Sequence, residues 1–217
     1  MGQDKREFII NSLMSPGFMV HEAQDIILVE TEETGKSELK VHLSSKNNLS
    51  IANVDKKKTE MQFFQKEASK SMFKRVDHII FSHQYADQWK LYLIEMKGSV
   101  GDKKWVEIKG KFRASYLLAQ AIAGMLELVI VETVMYTTFE KVQFEKSDTM
   151  PTARRGRVGG QYIRMEKEWA GECFGLNLGE RLSFVHRPVQ MVKNPDGILK
   201  GDLTEQTLSL ANDLRNR

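Results

Sequence analysis

Three charged residues stand at the ends of two apolar runs, and their types and spacing suit metal-assisted hydrolysis. Asp77 opens the run at 76–81 (VDHIIF), whereas Glu95 and Lys97 close the run at 91–97 (LYLIEMK). Side chains two apart on a strand face the same side, so Glu95 and Lys97 share a pocket. Two carboxylates with open coordination positions suit Mg²⁺ or Mn²⁺. Lys97 would orient or deprotonate the attacking water, which predicts hydrolysis of a phosphodiester.

The Glu-x-Lys pattern also occurs at 38–40 (ELK) and 107–109 (EIK). The second copy lies in a predicted helix, where residues two apart point in roughly opposite directions and cannot share a pocket. The first copy is the stronger rival, because Asp25 opens an apolar run upstream of it. Its glutamate begins a strand that a turn follows, however, whereas Glu95 ends a buried strand that a long helix follows. We therefore favour Asp77 and Glu95.

A purely structural interpretation of these residues is also open. Asp77 could be a strand-entry residue paired with Arg75, and Glu95 with Lys97 could form only an ion pair. Two charges at the end of an almost wholly apolar strand are costly to bury unless something binds them. This cost favours the interpretation as a site.

The residues around this site predict an α/β order of elements. A short amphipathic helix at 4–14 precedes a β-hairpin, whose apolar runs at 26–30 and 39–43 flank a polar loop. A third run at 49–54 is expected to extend the hairpin's sheet, and a helix is expected at 59–73. Two central strands follow at 76–82 and 90–96, each too apolar to have a face in water. The remaining predicted elements are a long helix at 105–126, a strand at 128–139, a loop at 147–160, a strand at 182–192 and a last helix after Asp202, which Asp202 and Glu205 cap.

Asp77, the Glu95-x-Lys97 pair and the long helix after them resemble the PD-(D/E)XK nuclease superfamily. Val76 stands where the proline of that motif would be, a common variation, and the resemblance covers residues 59–139. It implies a restriction-endonuclease-like fold, in which a mixed central sheet is flanked by helices. Around the nuclease-like core at 59–145 we expect an N-terminal helix and β-hairpin region at 1–58 and, at 146–217, a basic loop with a C-terminal α+β extension. We expect the three regions to form one compact domain.

Further candidate residues flank the predicted core. Glu60, near the start of the first core helix, is a candidate for a third metal contact, although a solvated glutamate is the more common case at such a position. Gln120 is polar amid apolar residues of the long helix; in several branches of the superfamily a Gln or Lys on this helix lines the site, and a core hydrogen bond is the alternative. Nucleic-acid contacts are expected from Arg113 on the same helix and from a guanidinium cluster in the basic loop, which pairs well with phosphate: Arg154, Arg155 and Arg157.

Composition and charge set the remaining expectations. The chain has 217 residues, of which 41% are apolar and 28% charged, which excludes disorder and a disulfide scaffold. One cysteine, Cys173, and the absence of a targeting pattern favour a cytoplasmic protein with no membrane segment. Residues 1–50 hold five Lys/Arg against eight Asp/Glu, so the remaining 27 against 21 give the later part a positive excess. We expect a Mg²⁺- or Mn²⁺-dependent nuclease acting on nucleic acid, DNA favoured, and the sequence permits a homodimer. The alternative is a non-catalytic nucleic-acid-binding or protein-interaction module on the same fold.

Overall fold

Strands outnumber helices in this mixed α/β protein. It is described by a computed structural model for residues 5–32, 35–55, 71–144, 155–158 and 161–205. The helices are α1 (Lys5–Phe8), which continues into a π-helical turn at Ile9–Leu13, α2 (Asp102–Met125) and α3 (Met165–Trp169). The strands are β1 (Val20–Glu22), β2 (Asp25–Glu32), β3 (Gly35–His42), β4 (Asn48–Ala52), β5 (His78–His83), β6 (Gln88–Glu95), β7 (Ser99–Val100), β8 (Val129–Phe139), β9 (Lys141–Val142), β10 (Arg155–Val158), β11 (Gln161–Arg164), β12 (Gly175–Asn177), β13 (Arg181–Ser183), β14 (Val185–Gln190), β15 (Val192–Lys193) and β16 (Leu199–Thr204).

The largest sheet has six strands in the order β1-β4-β5-β6-β8-β14. Strands β1, β4, β5 and β6 pair antiparallel, whereas β8 runs parallel to β6 and β14 runs parallel to β8. Parallel neighbours need a crossover connection, and α2 provides it between β6 and β8. Strands β5 and β6 lie in the middle of this sheet and are buried on both faces, as their uniform hydrophobicity predicts.

Helix α2 covers one face of the six-stranded sheet. Its buried residues recur at spacings of three and four, as in Trp105, Ile108 and Phe112, and they pack against Ile79 and Leu93 of the central strands. Each large apolar side chain buried there contributes about 1.5–3 kcal/mol. No helix in the described part of the chain has both the length and the hydrophobicity to span a lipid bilayer.

A four-stranded sheet covers the opposite face, with the strand order β15-β16-β3-β2. Strands β2 and β3 form the expected antiparallel hairpin, and β16 joins β3 in parallel. Along β2, Ile26 and Leu28 are buried and Ile27 is exposed, which is the alternation of a strand with one face in water. The buried residues pack against Tyr92 and Ile94 of β6 in a second hydrophobic core. The central sheet is therefore covered by a helix on one side and by a sheet on the other.

Most of the predicted elements that fall in the described residues are confirmed. These are the short N-terminal helix, the hairpin, both central strands, the long helix and the strand after it. Residues 59–70 of the helix predicted at 59–73 lie outside the described residues, and residues 71–73 are not helical. The strand predicted at 182–192 is divided among β13, β14 and β15.

Three predictions are wrong. The run at 49–54 forms β4, but β4 lies between β1 and β5 of the central sheet rather than beside the hairpin, because antiparallel pairing with β5 buries it. Asp202 does not cap a helix: it lies within β16, whose pairing with β3 supplies its backbone hydrogen bonds, and the Glu205 carboxylate instead accepts a 2.8 Å hydrogen bond from Tyr92. The loop predicted at 147–160 contains β10, which pairs with β11. Residues 206–217 lie outside the described residues.

Candidate active site

Two carboxylates face each other across neighbouring central strands. Glu95 is the last residue of β6, and Asp77 directly precedes β5. The antiparallel register pairs His78 with Ile94, so one step further it sets Asp77 opposite Glu95. Residues directly opposite each other share a face, and these two share the face of Ile79, which packs under α2. The topology therefore brings the two carboxylates together.

Asp77 is held in a buried position from two sides. Its carboxylate Oδ2 accepts a 2.6 Å hydrogen bond from the backbone N–H of Met96, and the side chain is only 2% exposed. The hydroxyl of Ser115 on α2 accepts a 2.9 Å hydrogen bond from the backbone N–H of Val76, which fixes the start of the strand. Burial, together with the negative charge of Glu95, raises the pKa of Asp77 from 3.8 to about 7, against the opposing effect of nearby lysines. A proton or a cation is therefore favoured at this carboxylate.

Glu95 is fully buried, and its two oxygens differ in what they contact. Oε1 lies 2.9 Å from Nζ of Lys97 and 2.6 Å from Nζ of Lys111. Oε2 is buried, and no donor among the described residues reaches it. A buried oxygen without a donor costs about 1–3 kcal/mol, more for a charged group. Such an atom is an open coordination position for a cation.

A second buried glutamate beneath the same helix provides a comparison within the chain. Glu168 of α3 is also fully buried, and its Oε2 accepts hydrogen bonds from Nε1 of Trp105 at 3.2 Å and Nζ of Lys109 at 2.8 Å. Its Oε1 accepts a 3.5 Å hydrogen bond from Arg181. Both oxygens of Glu168 thus have donors, as expected of a carboxylate that holds elements together, whereas Glu95 has donors on one oxygen only.

Two lysines complete the site, one expected and one not. The hydroxyl oxygen of Thr138 on β8 accepts a 2.8 Å hydrogen bond from the backbone N–H of Lys97, which fixes that residue beside Glu95, and the Lys97 ammonium also donates to the carbonyl of Met96 at 2.9 Å. Lys111 comes from α2 and was not predicted from the sequence. Lys111 and Ser115 are four residues apart and share a face of α2, but no signal in the sequence shows that this face meets the strand that carries Asp77.

Gln120 and Arg113 lie away from the carboxylates. Gln120 is nine residues after Lys111, which is about 180° around a helix, and Arg113 shares the face of Gln120 seven residues earlier. Since Lys111 is the residue of α2 that contacts Glu95, these two point toward the other side of α2. The structure brings together Asp77, Glu95 and Lys97, and it adds Lys111 where Gln120 was expected.

The rival acidic triad is exposed to solvent. The Asp25 side chain is 80% exposed and hydrogen-bonds the ring of His42. Glu38 pairs with Lys36 at 2.7 Å, and this hydrogen bond is the main cause that lowers its pKa; Lys40 is exposed. Pairs in solvent are weakly held and cost little to form. The burial that marks Asp77 and Glu95 is therefore missing at the rival position.

The remaining candidates are described in part or not at all. Glu60 and Arg154 lie outside the described residues. Arg155 and Arg157 lie in β10, opposite Arg164 and Tyr162 of β11. No cluster of three or more His, Cys, Asp or Glu side chains suited to a metal occurs among the described residues, so Asp77 and Glu95 are a pair of oxygen donors.

Comparisons with known proteins return no relative. No protein-family model matches the chain, and neither a curated protein nor a solved structure matches it significantly.

Proposed function

We propose that this protein is a metal-dependent nuclease that hydrolyses phosphodiester bonds of nucleic acid, with DNA the favoured substrate. The observation that carries the proposal is the buried pair of Asp77 and Glu95, whose Oε2 has no donor among the described residues while Lys97 lies on Oε1. Carboxylate oxygens are the ligands that Mg²⁺ and Mn²⁺ prefer, and an incompletely satisfied pair in a buried position favours such an ion. The donor set therefore fits the metal.

The order of elements supports assignment to the PD-(D/E)XK superfamily. Strands β5 and β6 are antiparallel, α2 follows them, and β8 then joins β6 in parallel. Asp77 lies at the start of the first of these strands, and the Glu95-x-Lys97 pair at the end of the second. This is the order that the resemblance implies, in which the Asp strand, the Glu-x-Lys strand and a helix follow one another. A restriction-endonuclease-like fold is accordingly part of the proposal.

Each residue has a distinct part in the proposed chemistry. Asp77 and Glu95 would hold the metal, which when bound supplies Lewis-acid stabilisation of the charge that develops on the phosphate. Lys97 carries its ammonium to the edge of the carboxylate pair, where it would orient or deprotonate the attacking water. Lys111, on the same oxygen as Lys97, places a second positive charge beside the carboxylate pair.

Cleavage assays with a matched variant test this proposal. Purified protein is incubated with end-labelled single- and double-stranded DNA and RNA, with Mn²⁺, with Mg²⁺ or with EDTA. We expect cleavage only with a metal, and a loss of about 100-fold or more in Glu95→Gln, the loss typical when one catalytic group is removed. Glu168→Gln is the control, because it alters an equally buried glutamate under the same helix and should cut like the parent once its folding is verified by circular dichroism.

The second candidate function is a binding module without catalysis on the same fold. It is favoured by the two ammonium groups on Glu95, which neutralise the pair without a metal, and by the lack of a third acidic ligand in the described residues. A parent protein that binds nucleic acid but cuts no substrate with either metal would support this candidate and contradict the nuclease.

A further inference from the structure

A cleft of about 450 Å³ opens beside Lys97, whose ammonium contacts the buried Glu95. Lys97 and Gly98, which follow β6, and Lys141, which begins β9 after β8, form one wall of it. The other wall comes from the four-stranded sheet, with Lys36 of β3 and Lys193 of β15. The cleft therefore lies at the carboxyl ends of two parallel strands, the usual position of a ligand in an α/β sheet. We call it the lysine cleft.

The lining of the lysine cleft carries a strong excess of positive charge. Two acidic residues, Glu30 and Glu140, line it together with five lysines, which come from the four-stranded sheet, from the segments that follow β6 and β8, and from α2: Lys36, Lys97, Lys104, Lys141 and Lys193. Lys36 and Lys97 also pair with carboxylates outside the lining, those of Glu38 and Glu95, and the three other lysines supply the remaining positive charge. A cleft that concentrates cations in this way attracts an anionic ligand.

The first turn of α2 strengthens the attraction for anions. The helix begins at Asp102 after Gly101, and Lys104 of its first turn lines the cleft together with Ser99 of β7. The backbone N–H groups at a helix start have no partner within the helix, and the positive end of the helix dipole lies there. Together with the lysines, this end of the helix makes the cleft suited to a phosphate group rather than to carboxylates spread over a large protein surface.

The size of the cleft limits which nucleic acid it can hold. About 450 Å³ lies in the range of roughly 300–1,000 Å³ that a single small ligand fills, which is room for one or two nucleotides. A duplex instead needs an open protein surface of about 1,000–2,500 Å². Lysines on both walls can contact the phosphates of a single nucleic-acid strand that passes between the walls.

We propose that the lysine cleft binds the phosphates of single-stranded nucleic acid and leads that strand to Asp77, Glu95 and Lys97. Delivery to these residues rests on the proposed nuclease function, whereas binding of the strand does not. The proposal names the substrate class as a single strand or an unpaired end. It also places phosphate contacts on lysines of the four-stranded sheet, Lys36 and Lys193.

Binding measured without metal tests the proposal. The probe is a fluorescein-labelled oligothymidylate, which forms no base pairs, and its affinity is followed by anisotropy in EDTA over a series of salt concentrations; a hairpin duplex of the same charge is the second probe. We expect the oligothymidylate to bind more tightly. The log–log slope of affinity against salt is about 0.7 for each phosphate contact on a single strand, so Lys141→Gln with Lys193→Gln should reduce the slope by about 1.4. Lys46→Gln with Lys167→Gln removes two exposed lysines outside the cleft and should leave it unchanged.

Each outcome decides the proposal. An unchanged slope and affinity in the cleft variant, tighter binding of the duplex, or no binding of oligothymidylate by the parent would overturn it. All the altered lysines in the cleft variant are exposed and distant from the carboxylates in sequence, so the fold is retained. Cleavage in Mn²⁺ is measured separately: a parent that binds the single strand through Lys141 and Lys193 but cuts nothing supports the cleft and contradicts the nuclease.

Discussion

Replacement of Lys111 by methionine removes one of the two cations on Glu95 and keeps the length of the side chain. The buried carboxylate retains Lys97 at 2.9 Å but loses the ammonium at 2.6 Å. One hydrogen bond to a charged group contributes about 1.5–3 kcal/mol. For a chain of this size each kcal/mol changes Tm by about 2–4 °C. Without metal, we therefore expect Lys111→Met to lower Tm by about 3–12 °C.

The response to Mn²⁺ separates a metal site from a structural ion pair. In Lys111→Met no second ammonium competes for Oε1 of Glu95, so Mn²⁺ should bind more tightly than in the parent. At about 100 times its Kd a ligand stabilises the folded state by about 3 kcal/mol, which would recover the loss. The control is Lys109→Met, which removes an ammonium 2.8 Å from Glu168, a carboxylate whose oxygens have other donors.

The assay is thermal unfolding of the parent and both variants over a Mn²⁺ titration. Both variants should lose stability in EDTA by similar amounts, and Mn²⁺ should raise the Tm of Lys111→Met by more than it raises the Tm of the parent or of Lys109→Met, in which Lys111 still contacts Glu95. If Mn²⁺ raises the Tm of neither the parent nor either variant, then Asp77 and Glu95 hold no cation, and the argument from the incompletely paired carboxylate is wrong; an equal rise in all three proteins would show that Lys111 does not compete with the cation.

Three further predictions follow from the same geometry. Lys97→Ala should abolish cleavage and leave binding of oligothymidylate in EDTA within about threefold of the parent, since most affinity comes from the phosphate contacts elsewhere; equal cleavage by the variant would contradict its role. Because the pKa of Asp77 is raised from 3.8 to about 7, the folded chain keeps a proton that the unfolded chain releases, and this lowers stability as pH rises through that window. In urea unfolding, the free energy of unfolding of Asp77→Asn relative to the parent should accordingly rise from about pH 4 to about pH 7 and stay constant above pH 7. A difference that is constant over the whole range would show that this carboxyl does not titrate there. Gly101→Ala should destabilise the fold because its Cβ would lie 2.6 Å from the backbone oxygen of Gln143, whereas Gly110→Ala, with nothing within 4 Å, should stabilise α2 by about 1 kcal/mol.

The fold could be predicted from the sequence where a pattern repeats over several residues. Alternation along β2 and the buried runs of β5 and β6 define the strands, and the three- and four-residue spacing defines α2. Which sheet a strand joins depends on contacts far along the chain, and the run at 49–54 was assigned to the wrong sheet for this reason. This run pairs antiparallel with β5, and no local pattern in the sequence encodes that pairing.

The candidate site could be predicted only as far as strand geometry reaches. Residues two apart on a strand share a face, so the contact of Lys97 with Glu95 follows from the sequence. The identity of the helical residue depends on the rotation of α2 against the sheet. A polar residue amid apolar ones suggested Gln120, whereas the buried stripe of α2 includes Ser115 and places Lys111 toward the strands.

The four-stranded sheet covers part of the core besides its proposed part in binding, and this decides how the proposed binding can be tested. Its buried residues Leu28, Leu39 and Val41 cover Tyr92 and Ile94 of the central strand that ends in Glu95. Removal of the sheet would expose that core, and with about 1.5–3 kcal/mol for each large apolar side chain, the loss would be comparable to the whole stability of an ordinary domain. A truncated chain that fails to bind nucleic acid would therefore have unfolded rather than lost its cleft. Only substitutions of exposed lysines on the walls separate binding from folding, because they change charge at the surface without touching the core.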